Sequence, residues 1–243
     1  MTNSNVLGRL VVHGESSPAI EKTLANALLG MTVVTGLVDA VSFLSLGRVF
    51  TANMTGNIVI LAFATARVSG LSLARSSTAL LSFLAGAIFG GRIMARAGAD
   101  SQIRFAAQAF LLEVAFLFAA SFCAIGYRRD LLEHSLQPFA LIALTALAMG
   151  TRTAAVRKLA IPDLTTTVLT LTIAGIGADS SLANGNNPRL ARRVESVVAM
   201  FLGAAFGAVI IRYSISAALW LGTAISALCG AAVFRSLRTP DKL

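Results

Sequence analysis

Residues 36–64 read GLVDAVSFLSLGRVFTANMTGNIVILAFA. Most positions are apolar, yet Asp39, Ser42, Ser45, Arg48, Thr51, Asn53, Thr55 and Asn57 place charge and hydrogen-bonding groups within the run. In water such a mixture is ordinary. In hydrocarbon every polar group needs a partner inside the protein. Which solvent surrounds this segment therefore decides the fold, and the flanking sequence answers that question.

The 243 residues are 56% hydrophobic and 13% charged, with a mean hydropathy of +0.78. A soluble domain carries about 25% charged residues. Eight apolar segments follow one another, at 23–47, 49–66, 76–94, 105–127, 138–160, 164–178, 194–212 and 214–234, joined by short polar connectors. Most are long enough to cross a bilayer core of about 30 Å. They predict an all-α, polytopic integral membrane protein with six to eight transmembrane helices, whose principal partner is the lipid bilayer. Residues 1–22 read as an N-terminal tail, 23–234 as one membrane domain and 235–243 as a C-terminal tail. The first residues lack the charged-then-apolar layout of a cleavable signal peptide, so the first spanning helix is expected to direct insertion.

The net charge of +9 does not point to nucleic acid. Of the 20 cations 17 are arginines dispersed between apolar segments, with no basic tract interleaved with aromatics. Anchoring of helix ends at the cytoplasmic face explains them better. Cys123 and Cys229 lie in apolar runs without CxxC spacing, and His13 and His134 are isolated in the sequence, so no metal site is expected. HExxH, GxSxG and Walker motifs are absent, and neither enzymatic catalysis nor a cofactor is expected.

Internal similarity divides the membrane domain. At an offset of 115, TANMTGN (51–57) falls on TTVLTLT (166–172), so that Thr51 meets Thr166 and Thr55 meets Thr170. The same offset lays Ala40, Val41 and Leu44 on Ala155, Val156 and Leu159. At an offset of 117, GAIFGGRI (86–93) falls on GAAFGAVI (203–210). Two related halves of four segments each, about 23–127 and 138–234, are the reading that follows. Repeated halves recur among secondary transporters, with the site where the halves meet.

If all eight segments span, the cations divide 12 inside to 8 outside. If 49–66 and 164–178 enter and return, the division is 14 to 6, which the positive-inside rule prefers. Each half then contributes three spans, and the halves run in opposite directions. Both arrangements place the two termini in the cytoplasm.

Gly86/Gly90 and Gly203/Gly207 form GxxxG pairs, which allow close helix approach. Internal packing is their expected use, with a homodimer interface as the alternative. Thr51/Thr55 and Asn53/Asn57 are spaced four apart, so each pair would share a helix face, the two faces nearly opposite. A helix polar on both sides belongs among protein neighbours; unwinding near Thr55-Gly56 would instead let these groups line a cavity. Asp39 and Glu113 lie within apolar segments, where a charge costs on the order of 3 kcal/mol and needs a partner. Arg152 and Arg157 are the candidates for Asp39.

The run from Asp39 to Asn57, with its Asp-Ala and Phe-Thr-x-Asn-x-Thr-Gly-Asn pattern, resembles the YoaK-like family of small bacterial membrane proteins. The resemblance extends over roughly 25–234 and includes DLTTTVLTLT in the second half; there Leu171 follows Thr170 where the family prefers glycine. It implies a bacterial inner-membrane location and brings no substrate or activity with it. The residues themselves suggest a carrier or permease for a small polar solute or a proton, with Asp39, Asn53, Thr55, Asn57, Arg157, Thr166 and Thr170 lining an internal site. A non-transporting scaffold or partner-binding subunit is the rival reading, in which the same groups only join helix to helix.

Overall fold

The computed structural model describes residues 18–98, 101–127, 135–159 and 169–238. Thr166 lies outside them, as do residues 1–17 and 239–243 of the terminal tails. Among these residues are eight α-helices: α1 (Pro18–Ser45), α2 (Met54–Thr65), α3 (Leu73–Met94), α4 (Gln102–Cys123), α5 (Gln137–Leu159), α6 (Leu169–Ala178), α7 (Leu190–Ile210) and α8 (Ile215–Ser236). Among the described residues there is no β-strand.

Polar caps and backbone breaks set the boundaries. Ser72 Oγ accepts the Arg75 N–H at 3.4 Å and Ser214 Oγ accepts the Ala217 N–H at 3.1 Å, each satisfying an otherwise unpaired first-turn donor. Gly47, at φ +100°, turns the chain out of α1 in a conformation that side chains rarely adopt.

Six helices, α1, α3, α4, α5, α7 and α8, are long and apolar enough to cross a membrane. Twenty-two residues at 1.5 Å each give about 33 Å, a full hydrocarbon core. The 12 residues of α2 and the 10 of α6 reach only about 18 and 15 Å, too short to span. The protein is thus an all-helical, multi-pass membrane protein.

The principal packed pairs are α3 with α5, α1 with α7, α4 with α5, α1 with α8, and α4 with α8. The short α2 lies on α3, and α6 lies on α7. This set is unchanged when α1 is exchanged with α5, α2 with α6, α3 with α7 and α4 with α8. Buried aliphatics from α1, α4, α5 and α8, among them Leu37, Leu117, Met149 and Leu219, form the centre. The outer helices α3 and α7 expose Leu81, Ile88, Phe201 and Phe206, a surface suited to lipid.

The GxxxG glycines act inside the chain. A Cβ on Gly86 would strike the Leu147 carbonyl of α5, and one on Gly90 the Thr151 carbonyl. Gly150 of α5 answers by packing on Phe83 and Ala87 of α3. At the other crossing Gly203 meets Val33 and Gly207 meets Leu37 and Ala40, while Gly36 of α1 packs on Met200 and Ala204. These glycines thus pack helix against helix within the chain, the use expected of them. The crossings align Gly36 with Gly150, one residue away from the register that lays Ala40 on Ala155.

Candidate functional site

Two buried groupings that include charged side chains interrupt the apolar interior among the described residues. The first sits where α1 ends. The chain leaves α1 after Ser45 and enters α2 at Met54, so 46–53 is non-helical and its amides need acceptors. Asp39, one and a half turns before the end of α1, supplies one: its Oδ1 accepts the Thr51 N–H at 3.1 Å and the Ala52 N–H at 2.8 Å. Asn57 holds the other side, its Oδ1 accepting from Phe50 N at 3.3 Å and its Nδ2 donating to the Ser76 carbonyl of α3 at 3.4 Å. Tyr127, beyond α4, donates to the Ser45 carbonyl at 2.8 Å and joins the two helix ends.

This geometry corrects the expected use of the motif. The break lies before α2, at 46–53, and not at Thr55-Gly56, because Asn53 caps α2 by accepting the Gly56 N–H at 3.3 Å. Thr51 and Asn57 are buried, whereas Asn53 and Thr55 are exposed. In the second half Thr170 is exposed and Thr172 is the buried residue of α6. Thr55 and Thr170 therefore share no buried site. The reason is positional: α2 and α6 dock on the outer helices α3 and α7, on the flanks of the bundle. Arg157 is also exposed, in the last turn of α5, and forms no ion pair with Asp39 among the described residues.

Among the described residues the cation wholly enclosed in the bundle is Arg152. It is wholly buried in α5, and its Nη1 donates to Glu113 Oε1 of α4 at 2.9 Å. The same nitrogen donates to the Met31 carbonyl of α1 at 3.0 Å, and Nη2 donates to Thr35 Oγ1 at 2.6 Å. From α8, Ser226 Oγ donates to Glu113 Oε1 at 3.0 Å. Four helices thus converge on one ion pair, with Glu113 and Ser226 each midway along helices of 22 residues. Among the described residues Glu113 Oε2 and Arg152 Nε have no hydrogen-bond partner, nor does Asp39 Oδ2. A desolvated pair is tolerable only with such close geometry and added hydrogen bonds.

The two groupings are linked along α1. Thr35, which Arg152 contacts, precedes Asp39 by four residues, so both share one face about 6 Å apart along the axis. Near the same end of the bundle a cleft of about 460 Å³ opens between the end of α4 and the α7–α8 turn, lined by Tyr127, Arg212, Tyr213, Ser214 and Ser216 among others. A further ion pair stands apart from these: Arg193 of α7 donates from Nη1 to Asp179 Oδ2 at 2.7 Å and to the Gly175 carbonyl at 2.6 Å, clasping the end of α6. Reading the sequence did not find that clasp, nor the Arg152–Glu113 pair. Intramembrane charge was the available signal for Glu113 and Arg152, whereas Asp179 and Arg193 lie in a polar connector and carried none.

A model of the family described as "Protein of unknown function (DUF1275)" matches residues 27–232. The chain belongs to this family. It is 38% identical over 157 residues to the UPF0700 transmembrane protein YoaK of Bacillus subtilis (strain 168), covering 64% of this chain and 67% of that protein. The YoaK-like resemblance of the Asp39–Asn57 run therefore extends to the family as a whole, and the matched region contains both buried groupings. No solved structure matches the chain.

Proposed function

We propose that this DUF1275 protein is a secondary carrier for a small polar solute, built from two related, oppositely oriented halves and lying in the bacterial inner membrane with both termini cytoplasmic. The observation that carries the proposal is the wholly buried Arg152–Glu113 pair, held by α1, α4, α5 and α8 where the halves meet. Intramembrane ionisable groups facing a bundle interior mark pathways in transport proteins. The exchange-invariant helix pairing supports the two-half reading, and three spans per half suit inverted repeats with a midplane site. Asp39, Thr51 and Asn57 hold the non-helical 46–53 segment beside that centre. The reading is non-enzymatic.

A scaffold role is the second reading, favoured by Asp39 and Asn57 each bonding the backbone of a neighbouring loop. Purified protein in proteoliposomes separates the two. A carrier admits a solute that also raises the melting temperature of the parent but not of a Glu113→Gln/Arg152→Met variant. A scaffold shows neither uptake nor solute-dependent stabilisation across amino acids, sugars, organic acids and amines.

A further inference from the structure

The buried charges do not all pair with one another. Among the described residues the buried charged side chains are Asp39, Glu113, Arg152 and Arg193. Arg193 faces Asp179, and Arg152 is in contact with Glu113. Asp39 is 4% exposed and, among the described residues, makes no ion pair; Arg152 acts on it only from a distance, across Thr35.

The groups around Asp39 on each packed element bear this out. On α5, Arg152 reaches α1 at Thr35 and is already paired. On α3, Arg75 lies by Gly47 and retains partial exposure, so its charge is screened by solvent. Tyr127 directs its hydroxyl to Ser45, and Glu113 of α4 lies beyond Arg152 with the same sign as Asp39. On α7 and α8, the remaining titratable residues are Arg193, held at the end of α6, and Cys229, packed at Gly30, together with the half-buried Arg192 and the exposed Glu195 and Arg235. The segment 46–53 carries Arg48, which is turned toward Gly70 and is exposed.

The two oxygens of Asp39 are also unequal. Oδ1 accepts the Thr51 and Ala52 amides, with the Asn53 amide also facing the carboxyl, whereas Oδ2 is buried with no hydrogen-bond partner among the described residues. A hydrogen on Oδ2 would leave both amide bonds intact and make a donor of the orphaned atom. The Thr51 hydroxyl, on a residue already tied to this carboxyl through its amide, is buried and likewise without a hydrogen-bond partner among the described residues.

We propose that Asp39 is a proton-binding site, occupied in the conformation described, and that its proton is the ion coupled to solute movement. The site takes one proton from the aqueous side, converting carboxylate to carboxylic acid, and releases it when Asp39 meets water or Arg152 leaves Glu113. Its use in coupling rests on the carrier reading; the presence of the proton does not.

Infrared spectroscopy of the protein in liposomes at neutral pH tests this directly. The expected result is a protonated-carboxyl band that shifts when aspartate is carbon-13 labelled and disappears in Asp39→Asn. Should that variant not fold, the labelled parent decides: a band that shifts with labelled glutamate but not with labelled aspartate overturns the proposal. So does the absence of any such band, which would mean an ionised Asp39 held by amide dipoles alone. A band that appears only when sodium is withdrawn would also overturn it, because the charge would then come from a metal cation. Proton binding without solute flux would keep the site and reject the carrier; flux without a protonated aspartate would do the reverse.

Discussion

Arg152 and Glu113 meet at 2.9 Å with neither side chain accessible to solvent. A pair of this kind is weak evidence for added stability, since desolvation opposes the attraction. Removing one partner is a different matter. Glu113→Gln alone is expected to destabilise by about 3–5 kcal/mol, because Arg152 keeps a buried charge without its counter-ion. Adding Arg152→Met should recover most of that loss. A double-mutant cycle by reversible detergent unfolding checks it; single and double variants of equal stability would show the pair to be energetically silent.

The glycines at the two crossings should not respond alike to a methyl group. Gly86→Ala and Gly203→Ala place Cβ against backbone carbonyls, and a loss of about 1–3 kcal/mol each is expected. Gly91→Ala and Gly177→Ala meet nothing within 4 Å and should change stability by no more than about 0.5 kcal/mol. Thermal unfolding of the four variants side by side makes the comparison.

Within the Thr-x-Asn-x-Thr-Gly-Asn run, the residues divide by burial. Asn57→Ala removes the acceptor of the Phe50 amide and the donor to Ser76, and should cost about 1–3 kcal/mol. Thr55→Ala, at an exposed position, should stay within about 0.5 kcal/mol. Equal losses in an unfolding assay would mean that Thr55 acquires a partner in the membrane.

Arg193 fastens the last turn of α6 to α7. Arg193→Leu is expected to raise amide hydrogen exchange across Leu169–Ala178 while leaving α4 and α5 at their parental rate. Exchange mass spectrometry resolves the two regions, and a uniform change would place Arg193 in the global stability of the bundle instead.

If α2 and α6 do not span, single cysteines replacing Arg67 and Arg189 should label from opposite sides of the membrane with an impermeant reagent. Labelling of both from one side would require eight spans. Reporters fused at Met1 and Leu243 should both give a cytoplasmic signal, in keeping with the cation distribution.

Sequence by itself determined the class of this protein. Apolar windows leave no alternative to a helical membrane bundle, and the shortness of 164–178 already separated it from the full spans, since length against bilayer thickness is a one-dimensional quantity. The GxxxG pairs were equally legible, because close approach depends on what a residue lacks. Tertiary structure alone decided partners. Asp39 and Arg157 looked complementary in sequence, yet Arg157 points out of α5 and the buried Arg152 reaches Glu113, a residue whose nearness depends on α4 lying beside α5. The start of α2 was hidden for a related reason. Whether Thr51 and Asn53 continue a helix or cap one is settled by where Asp39 offers an acceptor to the loop amides. Residue type and spacing fix which groups need partners; only the arrangement of helices fixes which partner each group finds.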